Sequence, residues 1–186
     1  MRFSGIFLDF DGVISRNSFE LMIGWAHSYM CQFSYIEERT IREIAKITIA
    51  FPPDAVLELL LRSFGIPGDV KEVQQLMLKA VSNSILVEQT FYEIIDFCQK
   101  ESIQVKILSL NYLNQIASAL QINLSDWLIV DDSPYALRAA KIAGLKTAVM
   151  ISPLFNMDDY LEYQNMIDIK LWSLHDLIKI IDSTCI

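Results

Sequence analysis

The sequence predicts an α/β protein in which a doubly wound parallel sheet carries a separate block of helices. After residue 90, short apolar runs alternate with helical patterns, which is typical of such a sheet, whereas residues 18–84 show no strand alternation. One further apolar run stands alone near the amino terminus, and a single strand cannot form a sheet by itself. The core is therefore predicted to be discontinuous, with residues 1–16 and 86–186 forming the α/β unit and residues 17–85 inserted as a helical unit.

The elements follow from hydrophobic periodicity and from breaks at Pro and Gly. The first strand is predicted at residues 3–8. Four helices are predicted in the insert, at residues 18–33, 35–50, 55–64 and 69–81. Ser18 is predicted to cap the first of these helices, and Asp69 to start the last. The later block is predicted to contain strands at 104–108, 128–130 and 146–151 and helices at 91–100, 112–120, 134–143 and 174–181.

Two of the predicted strands end in closely spaced acids. Asp9 and Asp11 precede a turn at Gly12, and Asp131 and Asp132 end a later apolar strand. Burying unpaired carboxylates costs several kcal/mol each, so these acids need a cation or a solvent-facing strand end. Ligands of parallel α/β sheets bind at the carboxyl ends of the strands. The pattern therefore predicts an active site there.

With these motifs the chain resembles the haloacid dehalogenase superfamily, in particular its phosphatase and beta-phosphoglucomutase-like members with helical caps. The matching segments are Asp9-Phe10-Asp11-Gly12-Val13, Ser109, and Val130-Asp131-Asp132-Ser133. The resemblance implies a Rossmann-like core, a four-helix cap at the insert, and a Mg²⁺-dependent enzyme that hydrolyses the phosphomonoester of a small phosphorylated metabolite.

The resemblance also implies roles for the acids. Asp9 is expected to attack phosphorus and become an aspartyl-phosphate, a known use of carboxylates. Asp11 is expected to protonate the leaving oxygen and later to deprotonate water. Mg²⁺ prefers oxygen ligands, and the expected ones are Asp9, the backbone carbonyl of Asp11, and Asp132. Asp131 is expected either to hold the waters of the metal or to cap the following helix.

The phosphate group is expected to meet a second set of residues. The resemblance implies that the Ser109 hydroxyl and the Leu110 backbone N–H donate to phosphoryl oxygens, with Gly12 beside them. Asn111 is expected either to add a donor or to cap the helix that follows.

The chain departs from the family pattern at the lysine that normally holds the nucleophile and the phosphate. No Lys or Arg occurs between Leu110 and Val130. Lys106, Lys141, an arginine of the insert or Arg138 are possible basic substitutes, and Arg138 is favoured because it follows the last acidic motif by one turn. The short interval before that motif also predicts that the usual edge strand after Ser109 is missing.

Composition restricts the classes of partner. The net charge of −8 disfavours nucleic acid. The charged residues interrupt each apolar run before it reaches the length of about 20 residues that a membrane span needs, and no signal peptide is evident. The three widely spaced cysteines indicate reduced thiols, so a cytoplasmic location is expected. The oligomeric state stays open.

Two other functions are consistent with the same motifs. A phosphomutase would use the same aspartyl-phosphate but return the phosphate to the sugar. A catalytically weak binding or regulatory protein would keep the acids without the lysine.

Overall fold

A computed structural model describes residues 3–48, 53–107 and 124–184. The chain divides into two compact units. One unit contains Met1–Arg16 and Val87–Ile186, and the other contains Asn17–Leu86. The predicted acids all belong to the first unit, so its sheet determines where they lie.

In the part of the chain that the structure describes, five parallel strands form one sheet. They are β1 (Gly5–Leu8), β2 (Gln104–Ile107), β3 (Trp127–Asp131), β4 (Lys146–Met150) and β5 (Ile169–Leu171), in the order β2-β1-β3-β4-β5. The predicted α/β class with a parallel sheet is confirmed. Leu8 pairs with Ile107 on one side and with Val130 on the other, so the carboxyl ends of β1 and β3 lie next to each other.

The central strands are covered on both faces, because every residue of β1 and β3 is buried. Continuous apolar strands of this kind are typical of parallel sheets between helices. Among the described residues, three helices accompany the sheet, α5 (Gln89–Lys100), α6 (Pro134–Ile142) and α7 (Leu174–Thr184). One core cluster combines Ile94 of α5 and Leu177 of α7 with strand residues such as Leu128.

The helical unit contains α1 (Ser18–Met30), α2 (Glu38–Thr48), α3 (Pro53–Ser63) and α4 (Val70–Val81). Asp69 caps α4 as predicted, since its carboxylate accepts hydrogen bonds from two backbone N–H groups of the first turn. The N-cap of α1 is Asn17, so the prediction that Ser18 caps this helix is wrong. Asn17 bonds to Ser84 and Leu86 instead, which joins the two chain ends of the unit.

Two elements differ from the prediction. The connection from β4 to β5 contains a 3-10 helix over Met157–Met166, and β5 has only three residues, too few to show a periodicity. The predicted helix at 112–120 and the predicted absence of an edge strand fall on residues outside the described ranges. Among the described residues, no helix is both long enough and apolar enough to cross a membrane.

Candidate active site

The carboxyl ends of β1 and β3 bring three acids together. The backbone N–H of Asp9 donates to the carbonyl of Val130 at 3.0 Å, which extends the pairing of the two strands by one residue. Asp131 is the last residue of β3, and Asp132 follows it. Oxygens of the Asp9, Asp131 and Asp132 carboxylates lie within 4.8 Å of one another. We call these three residues the acid cluster.

The loop after β1 folds back on itself and packs Gly12 against the Asp132 carboxylate of the acid cluster. The Phe10 carbonyl accepts hydrogen bonds from the N–H groups of Ile14 (3.0 Å) and Ser15 (2.8 Å), and Gly12 N–H donates to the Ser15 carbonyl at 2.8 Å. Gly12 has φ +82°, and a Cβ there would overlap the Asp132 carboxylate. Both the backbone angle and the close approach therefore require glycine. Gly12 touches the last acid motif, a contact that the sequence pattern does not predict.

Asp132 is the most unusual member of the cluster. Its side chain is fully buried, and neither carboxylate oxygen accepts a hydrogen bond within the part of the chain that the structure describes. The hydroxyl of Ser152, at the end of β4, lowers the pKa of Asp132 without completing a hydrogen bond of normal geometry to it. Buried polar atoms are nearly always paired, so these two oxygens indicate a partner that the described residues do not supply.

Asp131 is held differently. Its Oδ1 accepts a hydrogen bond from the Ser133 N–H at 2.8 Å. The N-cap of α6 is Ser133, whose Oγ accepts from the Ala136 N–H at 3.4 Å. The alternative that Asp131 caps this helix is therefore wrong. A carboxylate oxygen of Asp131 also lies within 4.8 Å of the ligand oxygens of Asp9 and Asp132.

The acids raise one another's pKa values. Burial raises the pKa of Asp9 above its usual range, and the charges of Asp131 and Asp11 raise it further. Burial, followed by the charge of Asp132, raises the pKa of Asp131. Burial is also the main cause for the raised pKa of Asp132, and Asp9 and Asp11 add to it. Asp11 therefore lies close enough to act on the cluster, as its motif predicts.

No Lys or Arg of the described residues is a main influence on these pKa values. The described residues include every Lys and Arg except Arg2. Lys106 lies over the Trp127 ring, 5.4 Å from its centroid, and Lys141 pairs with Asp168 at 2.5 Å. Arg138 is exposed on α6, and its guanidinium forms no described hydrogen bond or ion pair with the acids. Ser109, Leu110 and Asn111 lie outside the described residues.

The donor set of the cluster fits a hard divalent cation. It consists of carboxylate oxygens, which Mg²⁺ prefers, and a small number of protein carboxylates leaves room for the waters that Mg²⁺ retains. A doubly charged ion beside Asp132 would supply the partner that its two buried oxygens lack. The residues present therefore fit a magnesium site.

Three residues around the site have no counterpart in the sequence motifs. Arg16 donates to the carbonyl of Ile151 at 2.7 Å and to that of Trp172 at 3.0 Å, which ties the loop after β1 to the ends of β4 and β5. Ser152 follows the carboxyl end of β4, as the acids follow or end their strands. This position in the sequence could have predicted it as a site residue. Tyr160 donates to the Asp132 carbonyl at 2.7 Å. It lies in a segment with no recognisable pattern.

Solved structures share this architecture. A hydrolase from Pseudomonas syringae is 11% identical, with a TM-score of 0.73 over 97% of this chain and 98% of its own. The chain has the fold of these hydrolases. A HAD family hydrolase from Deinococcus radiodurans R1 with bound phosphate and sodium is 14% identical, with a TM-score of 0.68 over 99% of this chain and 97% of its own.

A third structure is CbbY from Rhodobacter sphaeroides in complex with xylulose-(1,5)bisphosphate, a mutant form. It is 13% identical, with a TM-score of 0.70 over 94% of this chain and 96% of its own. No family model and no curated protein sequence matches the chain. The likeness is therefore one of fold, and function has to be argued from the acid cluster.

Proposed function

We propose that this protein is a phosphatase of the haloacid dehalogenase superfamily that hydrolyses a small phosphorylated metabolite with Mg²⁺ in the cytoplasm. The observation that supports this proposal most directly is the acid cluster, in which three carboxylates from two strand ends meet. Both carboxylate oxygens of Asp132 are buried there without a described hydrogen-bond donor. Two structures of the same fold contain phosphate or a sugar bisphosphate. The four acids of the proposed site, Asp9, Asp11, Asp131 and Asp132, belong to the α/β unit. We therefore assign catalysis to that unit and the role of a cap to the helical unit.

Asp9 is the proposed nucleophile. One of its carboxylate oxygens attacks phosphorus and forms an aspartyl-phosphate, while the bond from phosphorus to the leaving oxygen breaks. Asp11 gives its proton to that oxygen, so the product leaves as an alcohol. Asp11 then accepts a proton from water as the water oxygen attacks phosphorus. Inorganic phosphate departs, and the Asp9 carboxylate is restored.

The charges of the site explain why the proposal includes a cation. Burial raises the pKa of Asp9, the charges of Asp131 and Asp11 raise it further, and the same negative charges repel a phosphate group. Asp9, Asp132 and the backbone carbonyl of Asp11 are the proposed ligands of Mg²⁺, with Asp131 holding its waters. Bound there, Mg²⁺ supplies the charge neutralisation that phosphoryl transfer requires.

The test is a panel of sugar phosphates, nucleotides and small phosphorylated acids, with phosphate release measured in Mg²⁺ and in EDTA. We expect release that requires Mg²⁺, and a phosphoryl group on the peptide containing Asp9 when the reaction is quenched in acid. Release of equal rate in EDTA would contradict the proposed metal role. A phosphorylated product in place of free phosphate would indicate the phosphomutase alternative.

One observation favours a second function. None of the described Lys and Arg side chains is a main influence on the acids, whereas a positioned cation at a transferring phosphoryl group is worth orders of magnitude in rate. A protein that binds a divalent cation and a phosphate ester without hydrolysing it would keep this arrangement. Cation binding without phosphate release on any ester of the panel would support that function instead.

A further inference from the structure

The connection between β4 and β5 places a buried tyrosine against the acid cluster. Tyr160 is 3% exposed, and its hydroxyl donates to the backbone carbonyl of Asp132 at 2.7 Å. The two residues are 28 positions apart in the chain. No motif in the sequence connects them, and neither the proposed nucleophile nor the proposed acid requires this contact.

The segment around Tyr160 is built to hold this side chain in place. Tyr160 lies in the 3-10 helix Met157–Met166, which is longer than the three or four residues that such helices usually reach, so packing has to support it. Asn156 and Asp159 form a capping box at its start, in which each side chain accepts from the backbone of the other residue. The Phe155 ring packs 6.1 Å from the Tyr160 ring, between centroids.

Tyr160 remains a donor under ordinary conditions. Burial raises the pKa of its hydroxyl, and the charges of Asp132 and Asp131 raise it further. A phenol that keeps its proton can donate but does not add negative charge to the cluster. The hydrogen bond is therefore compatible with a site that holds a cation.

The restraint matters because the Asp132 carboxylate has little of its own. Neither of its oxygens has a described hydrogen-bond partner of normal geometry, and the interaction with the Ser152 hydroxyl falls short of that geometry. Its direction depends on how the Asp132 peptide is held and on the packing of Gly12 against it. Removing a group that orients a metal ligand typically lowers metal affinity by roughly one to two orders of magnitude. A single hydrogen bond to the backbone is expected at the lower end of that range.

We propose that Tyr160 is a positioning residue that, through its hydrogen bond to the Asp132 carbonyl, aims the Asp132 carboxylate at a divalent cation. This inference rests on the proposed function, because it assumes the cation that the acid cluster fits. It adds a residue that acts through Asp132 and touches neither cation nor substrate.

The experiment measures Mn²⁺ affinity by calorimetry, without substrate, for the wild-type protein and for Tyr160→Phe. The substitution keeps the ring and removes the hydroxyl, and we expect affinity to fall about tenfold. Tyr163→Phe is the matched control, because Tyr163 lies on the same 3-10 helix and its ring packs on Tyr135. Its affinity should equal that of the wild type.

A double-mutant cycle separates positioning from general stability. In an Asp132→Asn background, Tyr160→Phe should cause no further loss of Mn²⁺ affinity, because the group through which it acts has been changed. All measurements are made below the unfolding temperature of each variant, determined by circular dichroism. A loss of similar size in both backgrounds would overturn the proposal.

The outcomes separate the role of Tyr160 from the proposed function. Wild-type protein that binds Mn²⁺, with unchanged affinity in Tyr160→Phe, overturns the role of Tyr160 and leaves the proposed function standing. Wild-type protein that binds no divalent cation overturns both. If Tyr160→Phe does not fold, a ring-fluorinated tyrosine placed at position 160 alters the donor strength and keeps the contact. Unchanged Mn²⁺ affinity in that protein would then overturn the inference.

Discussion

Asp132 and Asp168 are two carboxylates of the same sheet, at the edge formed by the carboxyl ends of the strands and at the edge formed by their amino ends, respectively. Asp132 follows the carboxyl end of β3, whereas Asp168 directly precedes β5 and lies beside the start of β4. Asp168 accepts from Lys141 Nζ at 2.5 Å and from the Thr147 N–H at 3.0 Å. Neither oxygen of the Asp132 carboxylate accepts a hydrogen bond of normal geometry from a described donor.

The environments shift the two pKa values in opposite directions. Burial raises the pKa of Asp132, and the charges of Asp9 and Asp11 add to it. Partial burial also raises the pKa of Asp168, but the hydrogen bonds from Lys141 and Thr147 outweigh it, so the net pKa is lowered. The protein supplies every partner that Asp168 needs. At Asp132 the described residues give neither carboxylate oxygen a hydrogen bond, which is the difference between a structural carboxylate and a candidate functional one.

The largest expected effect is a loss of catalytic rate, and it should result only from substitutions at the carboxyl ends of the strands. Asp9→Asn keeps the shape of the side chain but removes the nucleophile, so phosphate release should fall at least about a thousandfold. Asp168→Asn should leave kcat within about twofold, because this carboxylate contacts no reacting group by the proposed mechanism. Both are checked by steady-state kinetics on the best ester of the panel. Undiminished release by Asp9→Asn would refute the mechanism.

Divalent cation should stabilise the protein through the edge that carries Asp132. At a Mg²⁺ concentration of about 100 times Kd, the folded state gains about 2.7 kcal/mol, which thermal unfolding detects. The gain should persist in Asp168→Asn and be much smaller in Asp132→Asn. Equal gains in the two variants would show that the ion binds elsewhere.

Without divalent cation, matched substitutions at the two edges should change stability with opposite signs. Asp132→Asn removes a buried charge that Asp9 and Asp11 repel, so the free energy of unfolding should rise by about 1 kcal/mol. Asp168→Asn weakens the bond to Lys141 and should lower it by about 1 kcal/mol. Urea unfolding in EDTA measures both, with Asp158→Asn, at an exposed position, as the control. A loss of stability in Asp132→Asn would contradict the comparison.

The smallest effect concerns pH. Because the folded-state pKa of Asp168 is lowered, its contribution to stability is present above the unfolded-state value of about 3.9 and is lost as the pH falls through the folded-state value. The stability difference between wild type and Asp168→Asn should therefore be constant near neutrality and shrink below about pH 4. Urea unfolding at several pH values measures it. A difference that grows on acidification would show that the sign is wrong.

Local pattern is enough to predict much of the fold. The apolar runs ending in Asp9 and Asp131 are strands of one parallel sheet, and the four helices of the insert lie close to their predicted ranges. β5 escapes prediction because three residues carry no periodicity. The residue type of Ser18 favours a cap of α1, but Asn17 occupies that position and bonds to residues far along the chain.

The position of acids at the ends of two parallel strands follows from the sequence, because strand periodicity and the common direction of the strands bring such ends together. Which of the described carboxylates is paired depends instead on tertiary packing. Three of the contacts that matter here join distant parts of the chain, namely Gly12 with the Asp132 carboxylate, Tyr160 with the Asp132 carbonyl, and Lys141 with Asp168. Such contacts depend on how elements pack and not on local spacing, so no motif encodes that Asp168 is satisfied and Asp132 is not.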